Sequence, residues 1–132
     1  MPKNPLTLYP IGQVVSTRKD AVDDGWDAER AKIVLDLEQF NGEALKGLQD
    51  FSHAEIVYYM HAAQKTETGS RHPRGNTAWP RAGIFAQRAK DRPNKIGITV
   101  CRILAVDGAE LEVAGLDAID GTPVLDIKPW VR

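Results

Sequence analysis

One stretch limits the possible folds more than any other. Ala54 to His61 carries the unbroken apolar centre Ile56-Val57-Tyr58-Tyr59-Met60, made of β-branched, aromatic and other apolar residues. A run of this length and kind reads as a strand covered on both faces. In a chain of 132 residues the second cover can be a partner subunit. The other apolar segments are also short. Leu8 to Thr17, Ala31 to Asp36, Ala82 to Arg88, Ile96 to Val106 and Val124 to Ile127 read as strands, and Leu111 and Val113 alternate with Glu110 and Glu112 as on a half-exposed one. Asp107-Gly108 marks a hairpin turn, since glycine tolerates the positive φ of a tight turn. Gln39 to Leu48 holds at most a short helix, weakened by Gly42 and Gly47. Ala62 to Pro80 is polar and rich in Gly and Pro, a loop long enough to be a functional one. The expected architecture is a single all-β domain over 1–132 with about six to eight strands, closed or nearly closed into a small barrel because an open sheet would leave sticky edges.

Composition excludes several classes. Apolar residues make up 42% and charged residues 27%, the balance of an ordinary globular domain. No apolar run approaches the ~18 residues of a membrane span. Met1-Pro2-Lys3-Asn4-Pro5 leads into the first strand without the apolar core of a signal peptide, so the cytoplasm is the expected compartment. Cys101 is the single cysteine, which rules out an internal disulfide and a zinc site built on cysteines; it reads as a small core residue.

The net charge of −1 conceals a polarity. Between Lys65 and Arg102 stand nine Lys and Arg against Glu67 and Asp91, a local +7, while the rest of the chain carries −8. That separation suits an anionic partner for the central segment, although an Arg-rich polar loop alone would read the same way.

Familiar catalytic templates are absent: no Gly-x-Gly-x-x-Gly after a strand, no phosphate-binding loop and no His-Glu-x-x-His. His53, His61 and His72 are too scattered to suggest a metal site by spacing, and Ser52-His53 lacks a nucleophile elbow. Three segments stand out instead. They are Asp50-Phe51-Ser52-His53; Gly83-Ile84-Phe85-Ala86-Gln87-Arg88 with Asp91-Arg92-Pro93-Asn94-Lys95-Ile96-Gly97; and Gly115-Leu116-Asp117-Ala118-Ile119-Asp120-Gly121-Thr122-Pro123-Val124-Leu125-Asp126-Ile127-Lys128-Pro129.

In this order the three segments resemble the TrmO/TsaA-like family, and the resemblance runs from Ile11-Gly12 to Pro129. It implies a small β-barrel that binds S-adenosylmethionine at a dimer interface and methylates the exocyclic amine of threonylcarbamoyladenosine in tRNA. The chain departs from the family's Arg-Ser-Pro-Phe-Arg-Pro-Asn-Pro-Ile-Gly run at Ala89, Lys90, Asp91 and Lys95, and it carries Asp23-Asp24-Gly25-Trp26 in the loop after the first strand. Methylation of a small molecule, or S-adenosylmethionine binding without catalysis, are the alternative readings.

Carried onto this sequence, the family pattern implies cofactor contacts at Trp26, His61, Ala62, Arg88, Ile98, Leu116, Asp117, Ala118, Ile119 and Asp120. An apolar slot at Leu116 to Ile119 would take the adenine, Trp26 could stack on it or face the sulfonium, and Arg88 could fork onto the methionyl carboxylate. Trp26 could equally be a packing anchor and Arg88 an ordinary surface residue. Asp120 and Asp126 are the candidate general bases, in competition with a turn-capping role beside Gly121-Thr122-Pro123, and Lys128 could pair with either. Arg71, Arg74 and Arg81 are the candidate phosphate contacts for tRNA.

Overall fold

Alternation of apolar and polar residues decides which side chains fill the interior. In Arg30–Leu35 the residues Ala31, Ile33 and Leu35 are buried while Arg30 and Lys32 face solvent. Glu110–Ala114 does the same with Leu111 and Val113 inward. A computed structural model describes residues 4–16, 29–63 and 68–131. Within them the strands are β1 (Gly12–Val15), β2 (Arg30–Leu35), β3 (His53–Tyr59), β4 (Ser70–Arg71), β5 (Ala82–Gly83), β6 (Ile96–Asp107), β7 (Glu110–Ala114) and β8 (Pro123–Pro129). Six of them close into an antiparallel barrel in the order β1-β2-β7-β6-β3-β8, with β8 returning to β1. Closure leaves the barrel without a free sheet edge. The interior is filled by Val14, Ile33, Ile56, Tyr58, Cys101, Leu111, Val113 and Val124, with Leu116 and Ala118 packed against them from the loop before β8.

The expected all-β barrel is the observed one, with differences in detail. The first strand is shorter than expected, because Leu6, Leu8 and Tyr9 lie exposed ahead of it. The Gln39–Leu48 region forms two single 3-10 turns, Gly42–Leu45 and Leu48–Asp50, broken at Gly47. Ala82 to Arg88 is not one strand: after two paired residues it turns into the 3-10 turn Ile84–Ala86. The long loop is partly ordered, since Ser70 and Arg71 pair with Gly83 and Ala82. β6 and β7 are joined at the expected Asp107-Gly108 turn, where Gly108 has a φ of +60°.

The apolar run of β3 is buried on one face only in the single chain. Ala54, Ile56 and Tyr58 point inward, while Val57 is half-buried and Tyr59 exposed. β3 sits between β6 and β8, and its register with β8 shifts between Val57 and Tyr58. The shift places both Leu125 and Asp126 off the core, while Val124 and Ile127 pack on it. A bulge of this kind bends the strand locally and re-aims its side chains. No described helix is long and apolar enough to cross a membrane.

Candidate functional site

Two clefts open toward different ends of β3 and β8. One, of about 440 Å³, lies where β3 begins and β8 ends, lined mainly by Ile11, Leu35, Phe40, Leu45, Phe51 and Ile127. It is mostly apolar, with Lys46 and Asp126 among its lining. The other, of about 1780 Å³, lies where β3 ends and β6 begins, and here the chemistry-bearing side chains converge. Its volume exceeds that of a typical single drug-sized pocket, so a small ligand and a second reactant can share it.

The wall of the large cleft comes from three pieces. The end of β3 supplies Tyr58 and, beyond it, Met60, His61 and Ala62; the start of β6 supplies Ile96, Gly97 and Ile98; the loop before β8 supplies Asp117, Ala118, Ile119 and Thr122. That loop is held by its backbone. Gly121 N–H donates to the Val14 carbonyl at 2.8 Å, and the Thr122 hydroxyl donates to the Ile119 carbonyl at 2.7 Å. Leu116 and Ala118 are buried, so the residues between and after them, Asp117 and Ile119, are displayed toward the cleft.

Tyr58 forms the floor. It is 4% exposed, and its hydroxyl lies 2.8 Å from the Thr99 hydroxyl. Gly97 makes this possible, because a Cβ there would stand 2.5 Å from the Tyr58 ring. Burial pushes the phenol up to about 12, an effect reduced by the Thr99 hydrogen bond, reinforced by Asp117 and Cys101 and opposed by Arg88. Asp117 and Arg88 thus both act on the floor of the same cleft.

The basic segment forms the opposite lip, and much of its charge is already used. Arg71 donates to Asp91 at 2.8 Å and to the Lys90 carbonyl at 3.0 Å. Asp91 is buried and has a φ of +66°. Arg92 donates to the Gln87 and Ala89 carbonyls, and the Gln87 amide donates to the Arg71 and Ala82 carbonyls. Arg81 donates to the Ser70 carbonyl and, at longer range, to its hydroxyl, both neutral partners. Among the described residues, none forms a hydrogen bond or ion pair with the side chains of Arg88 or Lys90.

Of the residues selected from sequence, His61, Ala62, Arg88, Ile98, Asp117, Ala118 and Ile119 line the large cleft, as do Arg71 and Arg81. Leu116 lies in the core beneath it. Asp120 is half-buried and accepts from the Ser16 N–H at 2.9 Å, joining the loop to the end of β1. The structure does not bring Asp126 to this cleft. The β8 bulge carries its carboxylate to the other one, where it pairs with Lys128 at 2.9 Å and holds that ammonium above its ordinary range. Arg71 lines the cleft but is paired with Asp91, which ties the lip together. Trp26 lies outside the described residues, as does the side chain of Arg74. Sequence reasoning did not select Tyr58, Gly97, Phe85 or Lys90 as site residues, although Phe85 and Gly97 stand in the motif segments, Lys90 in the basic stretch and Tyr58 in the apolar run of β3.

Comparison with known proteins shows the family and the fold. The family model of the tRNA-methyltransferase O N-terminal domain matches residues 16–132. A protein of Methanothermobacter thermautotrophicus named "Probable S-adenosyl-L-methionine-binding protein" is 37% identical over 129 residues, covering 95% of this chain and 90% of its own length. The mouse tRNA (adenine(37)-N6)-methyltransferase is 40% identical over 106 residues, covering 77% of this chain and 24% of its own length. The crystal structure of TrmO from Pseudomonas aeruginosa is similar with a TM-score of 0.76 and 32% identity, over 97% of this chain and 57% of that one. The chain therefore spans little more than half of that solved protein.

Tyr58 provides an optical reporter of the cleft floor. The unfolded chain releases this proton near pH 10 and the folded chain near pH 12, so the unfolded state binds fewer protons between these values and stability falls as pH rises through that window. A spectrophotometric titration of the folded protein is expected to show one late phenolate step, and Tyr58→Phe should remove that step alone. A late step that survives the substitution would assign it to another tyrosine.

Proposed function

The chain belongs to the tRNA-methyltransferase O N-terminal domain family, and from that premise and the cleft we propose that it is an S-adenosylmethionine-dependent methyltransferase acting on the exocyclic amine of threonylcarbamoyladenosine in tRNA. The observation that carries the reading is the convergence of Arg88, Asp117, Ile98 and Ile119 on one cleft large enough for donor and acceptor together. These residues suit the donor. The Arg88 guanidinium, which no described residue engages, can fork onto the methionyl carboxylate, and Ile98 and Ile119 offer apolar contact to adenine. S-adenosylmethionine, when bound, supplies an electrophilic methyl group on a sulfonium.

The protein's part is to place the amine in line with that methyl group and to keep water away. The tightly packed floor at Tyr58 and Gly97 serves the second task. The acceptor nitrogen must also lose a proton. Among the described residues that line the cleft, Asp117 carries the exposed carboxylate and Asp91 a buried one, and we assign Asp117 to receive the proton. Asp120, held by the Ser16 N–H, and Asp126, in the other cleft, are less well placed. A tRNA substrate puts the activity in the cytoplasm.

A homodimer fits the same arrangement. Val57 and Tyr59 of β3 stand in register with Ile98 and Ile96 of β6, and with Val100 they form an apolar outward face beside the cleft. Isologous pairing through that face would cover it and complete the cleft's wall. Light scattering should give twice the chain mass; a monomer at high micromolar concentration would count against the pairing.

The test of the function uses tRNA from a strain lacking the protein. Wild type plus S-adenosylmethionine should add one methyl group to threonylcarbamoyladenosine, read by mass spectrometry of nucleosides. Arg88→Ala should lose ~1.5–3 kcal/mol of donor binding in calorimetry, the worth of a charge-assisted contact. Folded wild type that binds no donor would sink the reading. RNA binding should separate the arginines: Arg81→Ala should lower affinity and reduce the salt slope by about one, because its charge is not neutralised in the protein. Arg71→Ala should instead lower the denaturation midpoint, since it leaves the buried Asp91 without its cation. Equal salt slopes for wild type and Arg81→Ala would contradict this division.

A further inference from the structure

Phe85 is the most exposed aromatic residue of the large cleft, at 78%, and neither the core nor donor binding accounts for it. It sits in the middle of the 3-10 turn Ile84–Ala86, between a buried Ile84 and an exposed Ala86. The turn is firmly held. Ile84 N–H donates to the Gly69 carbonyl at 2.8 Å, Gln87 N–H closes the turn onto the Ile84 carbonyl, and the Gln87 side chain bonds both strands of the β4–β5 pair. The Arg71–Asp91 ion pair and the Arg92 bonds to Gln87 and Ala89 fix the segment that follows. The chain therefore spends several hydrogen bonds on a rigid mount whose apex is a solvent-facing ring.

The ring's surroundings identify what it receives. Lys90, without a partner among the described residues, and Arg81, bonded only to neutral groups, line the same cleft. An exposed aromatic face among uncompensated cations is the arrangement by which proteins hold unstacked nucleotides, the ring taking the base and the cations the phosphates. We propose that Phe85 is the stacking platform for the base of the acceptor nucleoside, and so a positioning residue for methyl transfer. The rigid mount means that the ring loses little freedom on binding. The proposal rests on the tRNA reading above and adds to it the residue that presents the base to the donor.

The experiment compares wild type, Phe85→Ala, Phe85→Leu and Phe85→Trp in methylation of tRNA from the deletion strain, in calorimetry with S-adenosylmethionine and in light scattering. Removing the ring should raise the KM for tRNA roughly tenfold or more, the scale set by loss of one base–aromatic stack. Phe85→Leu, apolar but without a π face, should resemble Phe85→Ala, and Phe85→Trp should stay within about threefold of wild type. Donor affinity and molecular mass should be the same in all four. Phe85→Leu matching wild type would overturn the proposal, as would unchanged tRNA kinetics in Phe85→Ala. Weakened donor binding would make Phe85 a donor contact instead, and a fall in mass would make it a subunit contact; either outcome also overturns it. If wild type methylates no tRNA, the function itself has failed, and the platform falls with it.

Discussion

A small barrel has to be filled by its own inward side chains, and at the cleft end this one is filled by a tyrosine. The Tyr58 ring occupies the space that any side chain at position 97 would need. One missing Cβ therefore lets β6 pass close over the ring, keeps β3 and β6 in register and leaves the Tyr58 hydroxyl facing Thr99. A larger residue at position 97 would drive the ring out of the interior and into the cleft. The floor at Tyr58 and the start of the β6 wall beside it depend on that contact.

The cleft's second lip shows how a local charge divides into different tasks. The central segment looks uniformly basic in composition, but its arginines are not equivalent. Arg71 is held by a buried carboxylate, Arg92 is spent on carbonyls within its own loop, Arg81 keeps its charge while bonding neutral atoms, and Arg88 has no hydrogen bond from its side chain among the described residues. A guanidinium paired with a carboxylate contributes structure; one bonded to carbonyls contributes structure and still carries a positive field. The segment can thus be self-supporting and attractive to an anion at the same time.

The barrel was readable because its signals are local. The Glu110–Val113 alternation, the Asp107-Gly108 turn and the β-branched strands each depend on neighbours a few residues apart. Ala82 to Arg88 misled because Ile84 and Phe85 have strand propensity and a strand would also bury one and display the other, yet pairing with β4 ends at Gly83 and the chain turns into a 3-10 turn at Ile84. The candidate site was legible only through motif resemblance, which picked out Arg88, Ile98 and the Asp117–Ile119 stretch but gave no reason for them to meet.

The sequence by itself determined the fold class, the basic lip and the family, since periodicity, composition and ordered motifs are properties of the linear chain. Tertiary structure alone decided which aspartate faces the cleft, which arginines are spent and which aromatic is displayed. Asp117 and Asp126 are nine positions apart in one motif, but a buried Leu116–Ala118 anchor turns the first toward the large cleft and the β8 bulge turns the second away. Likewise Arg71 and Asp91 are twenty residues apart and meet only because β4 and β5 pair. Charge pairing depends on distances of a few ångströms in space, which residue spacing along the chain does not encode.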